Sequence, residues 1–298
     1  MLRNFVLSLS LLCLLAICSM TINCGSSSSS NGGGQNCTGG PFNVVGDWQI
    51  TVSDSGGGGT TNGFGAINSA GLALFFDTSG DSLALPTITG TSCFSGSTTA
   101  YGPPGLGGGA IADASQGTVN SATSISGSFT GTGGNPSGTI SATSYSPESS
   151  VTALSGAMLG EIASEAVILD LTFTPGPSNS SMTFTGSNGF SCDVSGSFSQ
   201  EAAGNVASIN VFDVSMTFSG TGCPTATTAA IAGLGFESSS DYFGFNLGAA
   251  ATYLYADMLD PAGPFAIEIF PQGVAGAAAA AQASKPAPQQ RWPLGTYE

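Results

Sequence analysis

The sequence predicts an all-β protein: two tandem β-domains, each an antiparallel sandwich or barrel, carried on a flexible N-terminal tether. Three observations predict it. Beyond residue 40, apolar residues recur at every second position through most of the chain, the period of a strand with one face buried. Clusters of Gly and Asn interrupt these runs at short intervals, and 45 of the 298 residues are glycine, which suits short strands joined by tight turns. Four cysteines lie beyond the N-terminal segment, Cys37 and Cys93 in the first half and Cys192 and Cys223 in the second.

The N-terminus reads as an export segment. Arg3 precedes an apolar run from Phe5 to Ile22 broken only by small polar residues and cysteines, the pattern of a secretory signal peptide over residues 1–23. The run also reaches the lower length limit of a spanning helix, but its serines and cysteines make it a mediocre span. Cys24 closes it, and Gly25 to Gly34 (GSSSSSNGGG) follows. Such a stretch has too little apolar surface to offset its ordering entropy, so residues 24–39 read as a tether.

An apolar segment ending at a cysteine and followed by a Ser/Gly tether resembles bacterial lipoproteins, in which that cysteine becomes the first mature residue and carries the lipid. The resemblance implies lipidation of Cys24, palmitate included, and attachment to the outer membrane of the cell envelope. Thr21-Ile22-Asn23 departs from the family's Leu followed by two small residues. Cys18, after Leu15-Ala16-Ile17, is the competing site, and an ordinary signal peptide cut near Ser19 is the alternative to lipidation.

The first β-domain is expected over 40–147 and the second over 148–272. In the first, Trp48, Ile50 and Val52 alternate with Gln49, Thr51 and Ser53. In the second, three runs alternate in the same way: Val167 to Phe173, Phe212 to Phe218 and Phe265 to Ile269. One segment, about 157–166, has the composition of a short helix interrupted by Gly160. Past Phe270 the pattern stops, and residues 273–298, rich in Ala and Pro, read as a disordered tail.

A weak internal repeat supports two domains over one large one. Ser92-Cys93-Phe94-Ser95-Gly96-Ser97 echoes Ser191-Cys192-Asp193-Val194-Ser195-Gly196-Ser197, and Gly46-Asp47-Trp48 echoes Gly156-Ala157-Met158. The spacings differ: 47 residues from Gly46 to Cys93 and 36 from Gly156 to Cys192. The stretch from Met182 through Cys192 and Phe212 to Cys223 resembles a β-module of bacterial lipoproteins of unknown function. That resemblance implies envelope location and a disulfide, not an activity.

An even cysteine count in an exported chain reads as disulfides, with three possible connectivities. Strands near 192–199 and 206–219, joined by residues 200–205, would return Cys223 beside Cys192, within the Cα spacing a disulfide needs. Cys37 and Cys93 then form the other pair, stapling the end of the tether to the first domain.

Charge removes whole classes of function. The chain has 3 Lys plus Arg against 18 Asp plus Glu and no His, and its only basic side chains are Arg3, Lys285 and Arg291. Phosphate neutralisation needs clustered cations, so nucleic acid is not a partner. Polybasic attraction to anionic lipid fails for the same reason. The membrane is expected as a partner only through the N-terminal lipid.

Several motifs suggest chemistry. Gly80-Asp81-Ser82-Leu83 spells the nucleophile block of the GDSL hydrolases, but that family's serine needs a histidine base, which this chain lacks. Gly46-Asp47-Trp48 resembles the first-strand G-x-W step of lipocalins, although the arginine that packs over that Trp is missing. Asp77/Asp81, Glu161/Glu165, Glu237/Asp241 and Asp257/Asp260 are near pairs of carboxylates, the groups that glycoside hydrolysis uses at set separations. Asp77-Thr78-Ser79-Gly80-Asp81 offers oxygens for Ca²⁺ without the spacing of a calcium loop. Tyr242, Phe243, Phe245, Tyr253 and Tyr255 read as core aromatics or a sugar-stacking surface.

No catalytic residue, metal ligand or cofactor is assigned. The expectation is a non-enzymatic lipoprotein of the cell envelope, a binding or structural module. The alternatives are a lipocalin-like carrier of a small apolar ligand and a glycosidase using paired carboxylates.

Overall fold

The computed structural model describes residues 37, 39–101, 110–145, 155–162, 167–177, 180–189, 191–201, 210–223, 229–240, 242–243, 253–259, 265–271 and 292–294. Its strands form two closed antiparallel barrels of eight strands each. Barrel 1 comprises β1 (Gly46–Asp54), β2 (Thr60–Ile67), β3 (Ala73–Asp77), β4 (Ser82–Leu85), β5 (Cys93–Tyr101), β6 (Ala110–Ser121), β7 (Ser124–Thr130) and β8 (Gly138–Ser144). Barrel 2 comprises β9 (Gly156–Ile162), β10 (Val167–Pro175), β11 (Ser181–Ser187), β12 (Asp193–Gln200), β13 (Phe212–Ser219), β14 (Ile231–Ser238), β15 (Tyr253–Leu259) and β16 (Phe265–Pro271). Each strand pairs with its sequence neighbours, and β1–β8 and β16–β9 close the two circles. Closure leaves no edge strand for aggregation, which the near-absence of charged gatekeepers makes valuable.

The alternation read from the sequence sets the inner faces. In barrel 1, Trp48, Ile50 and Val52 point inward against Phe75, Phe94, Phe129 and Ile140. In barrel 2, Leu169, Leu171 and Phe173 meet Phe184, Phe198, Phe212, Val214, Met216 and Ile267 in a second interior cluster. An eight-stranded barrel is just wide enough for side chains to fill it.

Two disulfides lock the ends. Cys37 bonds Cys93 at a Cα separation of 5.4 Å and fastens the segment before β1 to β5. Cys192 bonds Cys223 at 4.8 Å, joining the residue before β12 to the chain just after β13. These are the pairs that strand geometry led us to expect. Such crosslinks persist in oxidising compartments and are compatible with export.

Two local expectations are corrected. The segment read as a short helix, 157–166, contributes β9 instead, with Met158 and Ile162 in the barrel interior and Leu159 and Glu161 buried on the other face. Burial on both faces erased the period-2 signal there. Of the C-terminal residues 273–298, read as a disordered tail, all but 292–294 lie outside the described residues, and within those three Trp292 and Leu294 are 1% and 0% exposed inside barrel 1. Their apolar bulk outweighs the Ala/Pro composition around them.

Candidate functional site

The most unusual chemistry lies where the barrels meet. The outer faces of β2–β4 and β14–β16 pack together through a third apolar cluster containing Leu74, Phe76, Leu234, Phe236, Phe243, Tyr255 and Phe270. Phe64 stacks on Tyr242 with ring centroids 3.7 Å apart, and Phe76 lies 5.9 Å from Phe236 and 5.6 Å from Tyr255. This seam explains why β3, β15 and β16 are buried on both faces. Of the aromatics singled out in sequence, Tyr253, Tyr255 and Phe243 are buried and Tyr242 is half-buried, so they pack rather than present an open stacking surface. Phe245 lies outside the described residues.

Asp257 is embedded in this seam and Asp213 is exposed at its rim, and the three basic residues of the chain all lie outside the described part. Ser82 Oγ of β4 donates to Asp257 Oδ1 of β15 at 2.6 Å, and Asn68 Nδ2 donates to Asp213 Oδ1 at 3.1 Å. Burial holds the Asp257 carboxyl well above the usual carboxylate range, partly offset by the Ser82 hydroxyl. Its Oδ2 has no hydrogen-bond partner among the described residues. Glu201 is pushed up by burial, and its hydrogen bond and repulsion with Asp213 add to that, against a bond from Ser69. Burial also raises Asp113.

A row of outward residues crosses barrel 2 strand by strand: Phe236 opposite Tyr255, Tyr255 opposite Glu268, and Glu268 opposite Glu161. Tyr255 Oη accepts the Tyr242 N–H at 2.9 Å, with Ser240 O at 2.8 Å and Glu268 Oε1 at 2.5 Å. A phenol has one proton and the Ser240 carbonyl can only accept. The Oη–H is therefore shared between two acceptors, the Ser240 carbonyl and the Glu268 carboxyl. Glu268 and Glu161 stand directly opposite each other, where like charges repel. Burial to 0% and 4% keeps a sugar ring from reaching these two carboxyls in this conformation.

The sequence-level pairs fare unevenly. Asp77 and Asp81 do meet, in the β3–β4 turn. Asp77 Oδ1 accepts the Ser79 and Asp81 backbone N–H groups at 2.8 and 3.0 Å, and Gly80 supplies the turn's positive φ of 86°. Burial, then Asp81 beside it, raises the Asp77 carboxyl well above its ordinary range. Ser82 of the hydrolase-like block is bound to Asp257. Glu165, Asp241 and Asp260 lie outside the described residues, as does Cys24. Among the described residues, no group of three His, Cys, Asp or Glu is placed to hold a metal ion.

Glu268, Asp213 and Glu201 were not singled out by sequence. The one available signal was Glu268 on the face of Ala266, alternating with Ile267 and Ile269, which by itself reads as a solvent-facing acid. Comparison with protein-family models, curated proteins and solved structures finds no match for this chain.

Proposed function

We propose that this protein is a non-enzymatic lipoprotein of the bacterial cell envelope, held at the outer membrane through lipid on Cys24 and acting as a two-barrel binding or structural module. The observation that carries the reading is the filling of both barrels by the chain's own side chains. Phe198 and Phe212 in barrel 2 and Ile50, Phe75 and Trp292 in barrel 1 are at most 1% exposed. The interior volume that a lipocalin-like carrier gives to cargo is taken here by protein. Two disulfides and a Gly/Ser tether add what an extracytoplasmic module on a lipid anchor requires.

Acyl chains contribute about 0.8 kcal/mol per buried CH₂, and lasting attachment takes more than one chain. Cys24→Ala should release the protein from membranes or block its processing, read by fractionation and intact mass. Membrane association and mass unchanged in that variant would defeat the lipid assignment.

A further inference from the structure

One end of barrel 1 is closed by a residue that belongs to no strand. Trp292 lies among the inner faces of β1–β4, in one cluster with Ile50, Val52, Phe75 and Leu83. Gly63 on β2 makes the slot: a Cβ there would stand 2.5 Å from Trp292 Cη2 and 2.6 Å from Phe76 O. Trp292 Nε1–H donates to Asp81 O at 2.8 Å in the β3–β4 turn. The slot thus holds a planar ring and reads its N–H.

A second polar atom at this mouth is unused by Trp292. Gly63 pairs directly with Asp77 across β2 and β3, and directly opposed residues put their side chains on one face. Asp77 therefore shares the inner face with the Trp292 slot. It is 0% exposed, and its Oδ2 has no hydrogen-bond partner among the described residues. A carboxyl oxygen held without a partner in an apolar mouth is poorly compensated unless a donor reaches it.

We propose that this mouth of barrel 1 is a binding site for a planar aromatic amine, an indole-sized ring whose N–H bonds Asp81 O and whose amine bonds Asp77, and that Trp292 occupies it in cis. Twenty residues, 272–291, link β16 to Trp292. A covalently linked occupant acts at millimolar effective concentration, so it holds the slot until a tighter ligand displaces it. The site stands apart from the lipid anchor, whose failure shows in fractionation and leaves this binding unchanged.

Full-length Trp292→Ala should bind tryptamine saturably in calorimetry, at least about tenfold more tightly than indole, the difference one good added hydrogen bond supplies. Adding Asp77→Asn should abolish that advantage and leave indole binding unchanged. No binding by Trp292→Ala, equal binding of tryptamine and indole, or an advantage that survives Asp77→Asn overturns the proposal.

If Trp292→Ala does not fold, the unaltered protein decides the matter. Beyond Arg3 its only basic residues are Lys285, which precedes Pro286, and Arg291, so Arg291–Trp292 is the one bond there open to trypsin. With Trp292 buried, cutting should be slow. Tryptamine at about 10 mM, above the linked occupant's effective concentration, should speed it severalfold, with trypsin calibrated on a free peptide in the same solution. A rate unchanged by tryptamine overturns the proposal.

Discussion

Among the described residues, barrel 2 fills its interior from its own strands and its disulfide, whereas barrel 1 imports part of its filling. Phe173, Phe184, Phe198 and Phe212, all on strands of barrel 2, form a chain of rings with successive centroids 5.3, 5.7 and 6.1 Å apart. On the inner faces of barrel 1, Gly63 lies under Trp292 and Gly117 under Phe94. The remaining space is closed by Val44 and Ile88 from outside the strands and by Trp292 and Leu294 from the far end of the chain. Gly117 makes room for a ring of its own barrel, as Gly196 does for Phe184 in barrel 2, whereas Gly63 makes room for a plug from elsewhere.

The comparison can be broken by removing the filling. Phe198→Ala takes a fully buried ring out of barrel 2 and should cost about 3–5 kcal/mol. Barrel 1, with its own core and disulfide, should stay folded, so calorimetry should show two transitions in place of one. A single transition in the variant would mean that the seam fuses the barrels into one cooperative unit.

The disulfide of barrel 2 is next in size. Replacing Cys192 and Cys223 by Ser opens a loop with a sequence separation of 31 and should lower stability by roughly 3–4 kcal/mol. Denaturant midpoints of the variant and the parent measure it.

Two buried carboxyls, Asp257 in the seam and Asp77 at the mouth of barrel 1, give the protein an acid-leaning stability. Asp257 and Asp77 titrate higher in the folded chain than their ordinary value of 3.8. Below that value both folded and unfolded states are protonated and the groups contribute no difference. As pH rises through it, the unfolded chain releases protons first, so stability falls until the folded carboxyls also ionise. Asp257→Asn keeps the acceptor for Ser82 and gives the Oδ2 position a neutral amide. It should stabilise by about 1–3 kcal/mol at pH 8 and change little at pH 4, seen as a flatter dependence of melting temperature on pH. Ser82→Ala, the smallest change, removes one hydrogen bond across the seam and should cost about 1–2 kcal/mol, more at alkaline than at acidic pH, because the hydroxyl favours the ionised form of the Asp257 carboxyl.

Much of each barrel was legible because a half-buried strand writes itself in alternation, as in Trp48 to Val52 and Phe212 to Phe218. The seam was not. Tyr253 to Met258 and Ala73 to Phe76 are buried on both faces, and a continuous apolar run carries no period to decode. Asp257 and Glu268 look like solvated outward acids until a second barrel covers them. The echo between Cys93 and Cys192 misled in an instructive way. Cys93 opens the fifth strand of its barrel, whereas Cys192 precedes the fourth of the other, so the shorter spacing in the second half reflects one fewer strand before the cysteine. Trp292 was hidden because a single docking residue in a Pro-rich stretch has no pattern around it.

The position of Trp292 also fixes an order of events in the cell. A chain leaves the ribosome N-terminus first, so the strands of barrel 1 arrive earliest. Their core is nevertheless incomplete until Trp292 and Leu294, beyond barrel 2, appear. The first module delivered is the last one finished. A chain cut short before Trp292 would leave barrel 1 with an uncovered apolar mouth, a mark that proteases can read.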